Sequence, residues 1–96
     1  MRPSQALETN REALRAIAAQ HRVRNVRVFG SALREDDTET SDLDLLVDPT
    51  PQTTLMDIAA LQLEAETLLG VRVDVLTPKF LSLRFRDRVL EEAVPV

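Results

Sequence analysis

The sequence predicts a small α/β (α+β) domain, in which helices pack on a three-stranded mixed sheet in the order α-β-β-α-β-α. Three observations support this prediction: long segments have apolar residues at helical spacing, short runs are rich in valine and leucine, and glycine or proline separates the two kinds of segment. A chain of 96 residues has room for one hydrophobic core, so residues 1–96 are predicted to form a single domain.

The first helix is predicted over Ser4–Gln20, with the Ser4 hydroxyl as its N-cap. Apolar residues recur there at helical spacing, and frequent alanine favours a helix. A strand is predicted over Val23–Phe29, and Gly30 and Ser31 end it.

An acidic region separates the first two strands. A single helical turn is predicted at Ala32–Arg34 and a polar loop at Glu35–Ser41. The second strand is predicted over Leu43–Val47, and Pro49 and Pro51 close it.

The rest of the chain is predicted to contain two helices and one strand. The second helix covers Thr54–Leu69, with Leu55 on its apolar side and Gly70 as a stop signal. The third strand covers Val71–Leu76, where apolar and polar residues alternate, and the last helix covers Leu81–Ala93.

Composition excludes several classes of function. The chain has no cysteine and only one histidine, which excludes disulfides, thiol catalysis and metal sites built on cysteine or several histidines. Any metal must be a hard cation held by oxygen. A net charge of −4 argues against direct nucleic-acid binding, and no apolar run is long enough to span a membrane. The N-terminus lacks the pattern of a signal peptide, so a cytoplasmic protein is expected.

The first candidate site feature is Gly30-Ser31, directly after an apolar strand. Glycine lets a ligand approach the backbone, and the serine N–H and hydroxyl suit a phosphate oxygen. An ordinary turn is the alternative.

The second feature is the pair Asp42 and Asp44, which share one face of a strand because strand residues alternate. Two neighbouring carboxylates are stabilised by a divalent cation between them, and Mg²⁺ prefers carboxylate and phosphate oxygens. The alternative is a solvated acidic face.

The third feature is Asp74, an acid among valines on the third strand. It is either another metal-facing carboxylate or the partner of Arg27 or Arg72 in an ion pair. Together, the three features are the donor set for two-metal phosphoryl or nucleotidyl transfer.

These residues resemble the signature of the DNA polymerase β-like nucleotidyltransferase superfamily. Phe29-Gly30-Ser31, ten further residues, and then Asp42-Leu43-Asp44 carry the resemblance. The small size resembles the minimal nucleotidyltransferases, which are the antitoxin partners of HEPN-domain toxins.

The resemblance implies that Gly30 and Ser31 contact nucleotide phosphates and that Asp42, Asp44 and Asp74 bind two Mg²⁺ ions. Asp74 would also assist deprotonation of the acceptor hydroxyl. Arg34 falls where members often have a phosphate-contacting arginine, although Glu35 stands where glycine often follows it.

The implied reaction transfers AMP from ATP to a tyrosine of a cognate HEPN ribonuclease toxin, in a hetero-oligomer with that toxin. This chain has no tyrosine and little sequence left for an acceptor domain, so an external protein is expected to supply the acceptor. Two alternatives stay open: an antitoxin that inhibits by binding alone, and a small-molecule nucleotidyltransferase of the antibiotic-resistance type.

Other polar residues have more ordinary interpretations. His21 is expected to cap the first helix rather than to act as a general base. The loop acids are expected to be solvated and mobile; they are Glu35, Asp36, Asp37 and Glu39. Arg84 and Arg88 are expected to share one face of the last helix. With Arg86 and Asp87 they could form a patch that binds a partner or steers RNA, but a solvated face with local ion pairs is the expected interpretation.

The C-terminal segment has more apolar residues than one face of a small domain can bury. Part of it is therefore expected to form an interface, with the toxin or with a second copy. The residues concerned are Phe80, Leu81, Leu83, Phe85, Val89, Leu90, Val94 and Val96.

Overall fold

The structure is a computed structural model that describes all 96 residues. The helices are α1 (Pro3–Gln20), α2 (Ser31–Arg34), α3 (Leu55–Leu69) and α4 (Arg86–Glu92), and a 3₁₀ turn covers Pro78–Phe80. The strands are β1 (Val23–Phe29), β2 (Leu43–Pro49), β3 (Val73–Leu76) and β4 (Val94–Pro95). None of the helices combines the length and apolar content that crossing a bilayer requires.

The sheet has the strand order β3-β2-β1-β4. β1 is antiparallel to both β2 and β4, whereas β2 and β3 are parallel and are joined through α3. The prediction of a mixed sheet is confirmed, but the prediction of three strands is wrong by one. β4 has only two residues, which is too short for an alternating pattern, and it forms by pairing Val94 with Val28.

The two faces of the sheet are covered differently. On one face, alternate strand residues pack against α1 and α3 in the main core; from the strands they are Val23, Val28, Leu43, Leu45, Val47, Val73 and Val75. On the other face, a small cluster forms where Leu81 and Val89 of the C-terminal segment pack on Phe29 and Leu46. The remainder of this second face is where the predicted carboxylates project.

The predicted helix boundaries hold best where a local cap defines them. α3 begins after Thr54, whose hydroxyl accepts a hydrogen bond from the Asp57 N–H while the Asp57 carboxylate accepts one from the Thr54 N–H. Gly70 ends the helix in the left-handed conformation, as predicted. Leu55 is not on the buried side: it is the first residue of α3 and its side chain is 71 % exposed, whereas Ile58, the next apolar residue on that side, packs against the core.

Two further boundaries differ from prediction. β3 begins at Val73 rather than Val71, because the chain turns out of α3 through Val71 and Arg72. The last helix covers only Arg86–Glu92, because the chain from Leu81 to Phe85 forms turns. Arg84 therefore lies outside the helix and does not share a helical face with Arg88.

Candidate active site

Gly30 forms a tight corner between β1 and α2. Its φ and ψ angles are 76° and −153°, a combination that essentially only glycine adopts. A Cβ atom at this position would collide with the Asp44 Oδ2 atom. Glycine is thus required here by the close approach of Asp44 to the backbone, immediately before Ser31 at the start of α2.

Asp44 is the central carboxylate of the candidate site. In the sheet it lies opposite Phe29 on one side and in register with Asp74 on the other. It alternates with Leu43 and Leu45 of the main core, so its side chain projects from the other face of the sheet. Asp44 therefore lies beside Asp74 in the sheet and reaches the glycine-serine corner.

Burial, and then the negative charges of Asp74 and Asp42, raise the pKa of Asp44 to about 6. The Arg34 cation opposes this effect and lowers the pKa. Asp44 is thus a carboxylate that is held among like charges without a close positive partner. A bound cation would relieve that repulsion.

Asp42 and Asp74 are the two acidic neighbours of Asp44, and they differ in whether a positively charged side chain lies close to them. The Asp42 Oδ1 atom lies 3.8 Å from the Arg72 Nε atom, whereas Asp74 is exposed and forms no ion pair. The alternative that paired Asp74 with Arg27 or Arg72 is wrong, because Arg27 reaches Asp48 at 2.6 Å and Arg72 turns towards Asp42.

The donor set fits a hard cation such as Mg²⁺, because it consists of carboxylate oxygens and carries excess negative charge. As the side chains stand, no three acidic groups lie close enough together to hold one ion. Binding would therefore require rotation of the exposed Asp42 or Asp74 side chains towards Asp44.

Arg34 lies at the end of α2 with an exposed side chain, and its Nε atom is 3.3 Å from an Asp36 carboxylate oxygen. The next residue, Glu35, adopts the left-handed conformation with φ of 59°. Glycine adopts that conformation more readily than glutamate does. The chain keeps the turn with glutamate in place, and Arg34 stays near Asp44.

Asp37 departs from the prediction of a solvated loop, because it is 4 % exposed. Its carboxylate accepts hydrogen bonds from the Ser4 N–H at 2.8 Å and from the Ser4 hydroxyl at 2.9 Å. Burial alone would raise the pKa of Asp37, but the hydrogen bonds from Ser4 and the nearby charge of Arg2 lower it below its usual value. Ser4 is thus not an N-cap, since α1 starts at Pro3.

This contact links α1 to the loop between Ser31 and Asp42. The sequence carries no local signal for it, because 33 positions separate Ser4 from Asp37.

His21 lies at the C-terminal end of α1, as predicted, and its Nε2 atom is 3.0 Å from a Glu64 carboxylate oxygen on α3. Both residues belong to the helical layer, on the side of the sheet away from Asp44. The position of His21 therefore supports a structural role.

None of the described cavities is lined by Asp42, Asp44 or Asp74, although one of them is lined by Ser41 and Arg72, which lie beside Asp42.

The comparison with protein families matches a nucleotidyltransferase domain over residues 10–96. A relative from Methanocaldococcus jannaschii, named as a protein adenylyltransferase, is 41 % identical over 80 residues, which are 83 % of this chain and 86 % of that protein. A protein adenylyltransferase from Thermococcus cleftensis is 39 % identical over 74 residues, which are 77 % of this chain and 75 % of that protein.

Solved structures give the same result for the fold. A structure described as a minimal nucleotidyltransferase is 46 % identical, with a TM-score of 0.87 over 97 % of this chain and 95 % of that one. A toxin–antitoxin structure with AMP-PNP shares the fold at 16 % identity, with a TM-score of 0.75 over 90 % of this chain and 71 % of that one. The chain therefore belongs to the nucleotidyltransferase domain family, in its minimal branch.

Proposed function

We propose that this protein is a Mg²⁺-dependent antitoxin that transfers AMP from ATP to a tyrosine of a cognate HEPN toxin. The observation that carries the proposal is the position of Asp44, in register with Asp74 and against the Gly30 corner. Relatives named as protein adenylyltransferases support AMP as the group transferred. The fold shared with a toxin–antitoxin structure that contains AMP-PNP supports both the toxin and ATP.

In this proposal, Asp42, Asp44 and Asp74 would hold two Mg²⁺ ions. When bound, the ions would supply Lewis-acid stabilisation of the triphosphate and of the attacking oxygen. The Ser31 N–H and hydroxyl would hold phosphate oxygens at the corner, and Arg34 would add a positive charge there.

The bonds made and broken follow from this arrangement. The tyrosine oxygen of the toxin attacks the α-phosphorus of ATP, and the bond from the α-phosphorus to the bridging oxygen breaks. Pyrophosphate leaves with that bonding pair, and the exposed Asp74 accepts the phenolic proton. The product is a tyrosine-AMP ester on the toxin.

The test is an intact-mass measurement on the purified toxin after incubation with this chain, ATP and Mg²⁺. We expect the mass of the toxin to increase by whole AMP units, and removal of Mg²⁺ or the double substitution Asp42→Asn/Asp44→Asn to abolish the increase. Asp48→Asn is the matched control, because it removes a carboxylate from the same strand outside the proposed site.

An unchanged toxin mass, with inhibition of the toxin preserved in the Asp42→Asn/Asp44→Asn variant, would contradict the proposal. That pair of results would show inhibition by binding alone.

A further inference from the structure

The C-terminal segment leaves several apolar side chains in solvent on the face of the sheet that carries the carboxylates. Leu81 and Val89 anchor it to Phe29 and Leu46. Leu83, Phe85 and Leu90 are instead 81 %, 50 % and 39 % exposed. These three residues, together with Arg84 and Arg88, are called the C-terminal patch below.

The patch is positively charged within an acidic protein. From Lys79 to Arg88 the chain has four cations and one acid, whereas the whole chain has a net charge of −4. Arg86 turns inwards and donates to the Lys79 and Leu81 carbonyls. Arg84 lies over the Phe85 ring, 5.8 Å from its centre, and neither Arg84 nor Arg88 forms an ion pair, although Glu91 and Glu92 follow.

The anchor of the patch lies next to the candidate active site. Leu46 follows Asp44 by two residues on the same face of β2, and Leu76, which packs against the same cluster, follows Asp74 by two residues on β3. Two residues of a strand span roughly 7 Å. A macromolecule that brings a hydroxyl to these carboxylates must approach this face, because α1 and α3 cover the other.

We propose that the C-terminal patch is the docking surface for the protein that carries the acceptor hydroxyl, and that this protein presents an acidic and partly apolar surface beside its acceptor. The inference rests on the proposed function. Phenylalanine and arginine are enriched at protein interfaces, and arginine is common among the residues that dominate binding. Two exposed guanidinium groups without an ion pair in this chain favour an acidic partner. A symmetric contact with a second copy is disfavoured, since it would bring like charges together.

The test compares charge reversal inside and outside the patch. Arg84→Glu/Arg88→Glu reverses the patch, and Arg22→Glu/Arg24→Glu makes the same change at two exposed arginines that also have no ion pair. Binding to the purified cognate HEPN toxin is measured by calorimetry at two salt concentrations, and AMP transfer is measured at varied toxin and ATP. Thermal unfolding checks that both variants fold.

For the patch variant we expect affinity for the toxin to fall at least about tenfold, because close charge pairs at interfaces couple by more than 1 kcal/mol. The KM for the toxin should rise by a similar factor, whereas the KM for ATP should stay within about twofold. Raising the salt concentration should weaken toxin binding by the wild type more than toxin binding by the patch variant. Phe85→Ala should weaken binding in the same direction without changing charge.

Wild-type affinity in both patch variants would overturn the docking proposal, and so would an equal loss in the control. Wild-type self-association that disappears with the patch charges would assign the surface to a second copy instead. The two proposals fail separately: patch-dependent binding without AMP transfer contradicts the function, and AMP transfer that ignores the patch contradicts the docking surface.

Discussion

Gly30 shows how a residue can be fixed both by its backbone conformation and by a neighbouring side chain. Both glycines of the chain have positive φ, but only Gly30 has another side chain where its Cβ would be. A Cβ at Gly70 would meet nothing within 4 Å. Gly70 therefore shows the cost of a left-handed backbone alone, whereas Gly30 combines the collision with Asp44 and a conformation that is open essentially only to glycine.

We expect Gly30→Ala to lower the free energy of unfolding by about 2–4 kcal/mol, since strain and overpacking act together. Gly70→Ala, the matched control, should cost about 1–2 kcal/mol, from the left-handed backbone alone. Urea unfolding measures both values. Asp44→Ala in the Gly30→Ala background should recover the part of the difference that is due to the collision, whereas equal costs with no coupling to Asp44 would contradict this explanation of Gly30.

At the scale of elements, α3 protects the exposed edge of the sheet. β3 is an edge strand, and two of its N–H groups donate to side chains of α3. The Val73 N–H reaches Glu66 at 3.1 Å and the Val75 N–H reaches Gln62 at 3.2 Å. These side chains accept hydrogen bonds from N–H groups that would otherwise be free to pair with a further strand.

Gln62→Leu or Glu66→Leu should therefore lower the free energy of unfolding by about 1–3 kcal/mol, because each leaves a partly buried N–H without an acceptor. Gln62→Glu and Glu66→Gln keep the acceptor and should lie within about 0.5 kcal/mol of the wild type. Chemical denaturation of the four variants is the measurement. If the leucine variants have the same free energy of unfolding as the conservative variants, the hydrogen bonds to Gln62 and Glu66 do not stabilise the edge strand.

The elements that the sequence predicts well are those whose signals are local. The bounds of β1 and the cap and stop of α3 each depend on signals within a few residues, and the structure places them as expected, although a bulge between Arg24 and Arg27 interrupts the alternation of β1. The predicted last helix is too long, because Leu83 and Phe85 find no surface to pack on and the chain forms a turn there. Apolar spacing shows which residues could be buried, but it does not show what covers them.

The features of the candidate site also divide into those with a local sequence signal and those that depend on contacts between separate elements. Alternation along one strand predicts that Asp44 projects away from the core. The resemblance adds the prediction that Gly30 and Asp74 lie near it. The register that puts Asp44 beside Asp74 depends on how the α3 crossover returns the chain, and the burial of Asp37 depends on α1. Neither contact could be read from spacing, because each joins separate elements.

Over the whole molecule, the sheet separates a stabilising face from a reactive one. α1 and α3 bury the first face, while the second combines repelling carboxylates with a loosely covered C-terminal segment. Asp44 is retained there although burial and neighbouring charges disfavour its ionised form. This arrangement implies that the fold gives up stability at the candidate site, a cost that should be visible in how stability depends on pH.

Two aspartates should shape that pH dependence in opposite directions. The pKa of Asp44 is raised to about 6, so the folded metal-free protein holds a proton that the unfolded chain releases between roughly pH 4 and 6, and stability falls as pH rises through that range. The pKa of Asp37 is lowered, so its contribution is present above the ordinary aspartate pKa and is lost as the pH falls below it. Stability without divalent cations should therefore be greatest at mildly acidic pH.

Thermal and urea unfolding in a chelating buffer from pH 3 to pH 8 tests this expectation. Asp44→Asn should remove the decline towards neutral pH and exceed the wild type at pH 7 by about 1–3 kcal/mol, with the advantage vanishing near pH 4. Asp37→Asn should instead flatten the acid limb and lower stability at pH 7, since it loses a charged acceptor for Ser4. A wild-type curve that rises steadily to pH 8, with Asp44→Asn below it throughout, would mean that Asp44 is stabilised in the folded chain rather than held there against repulsion.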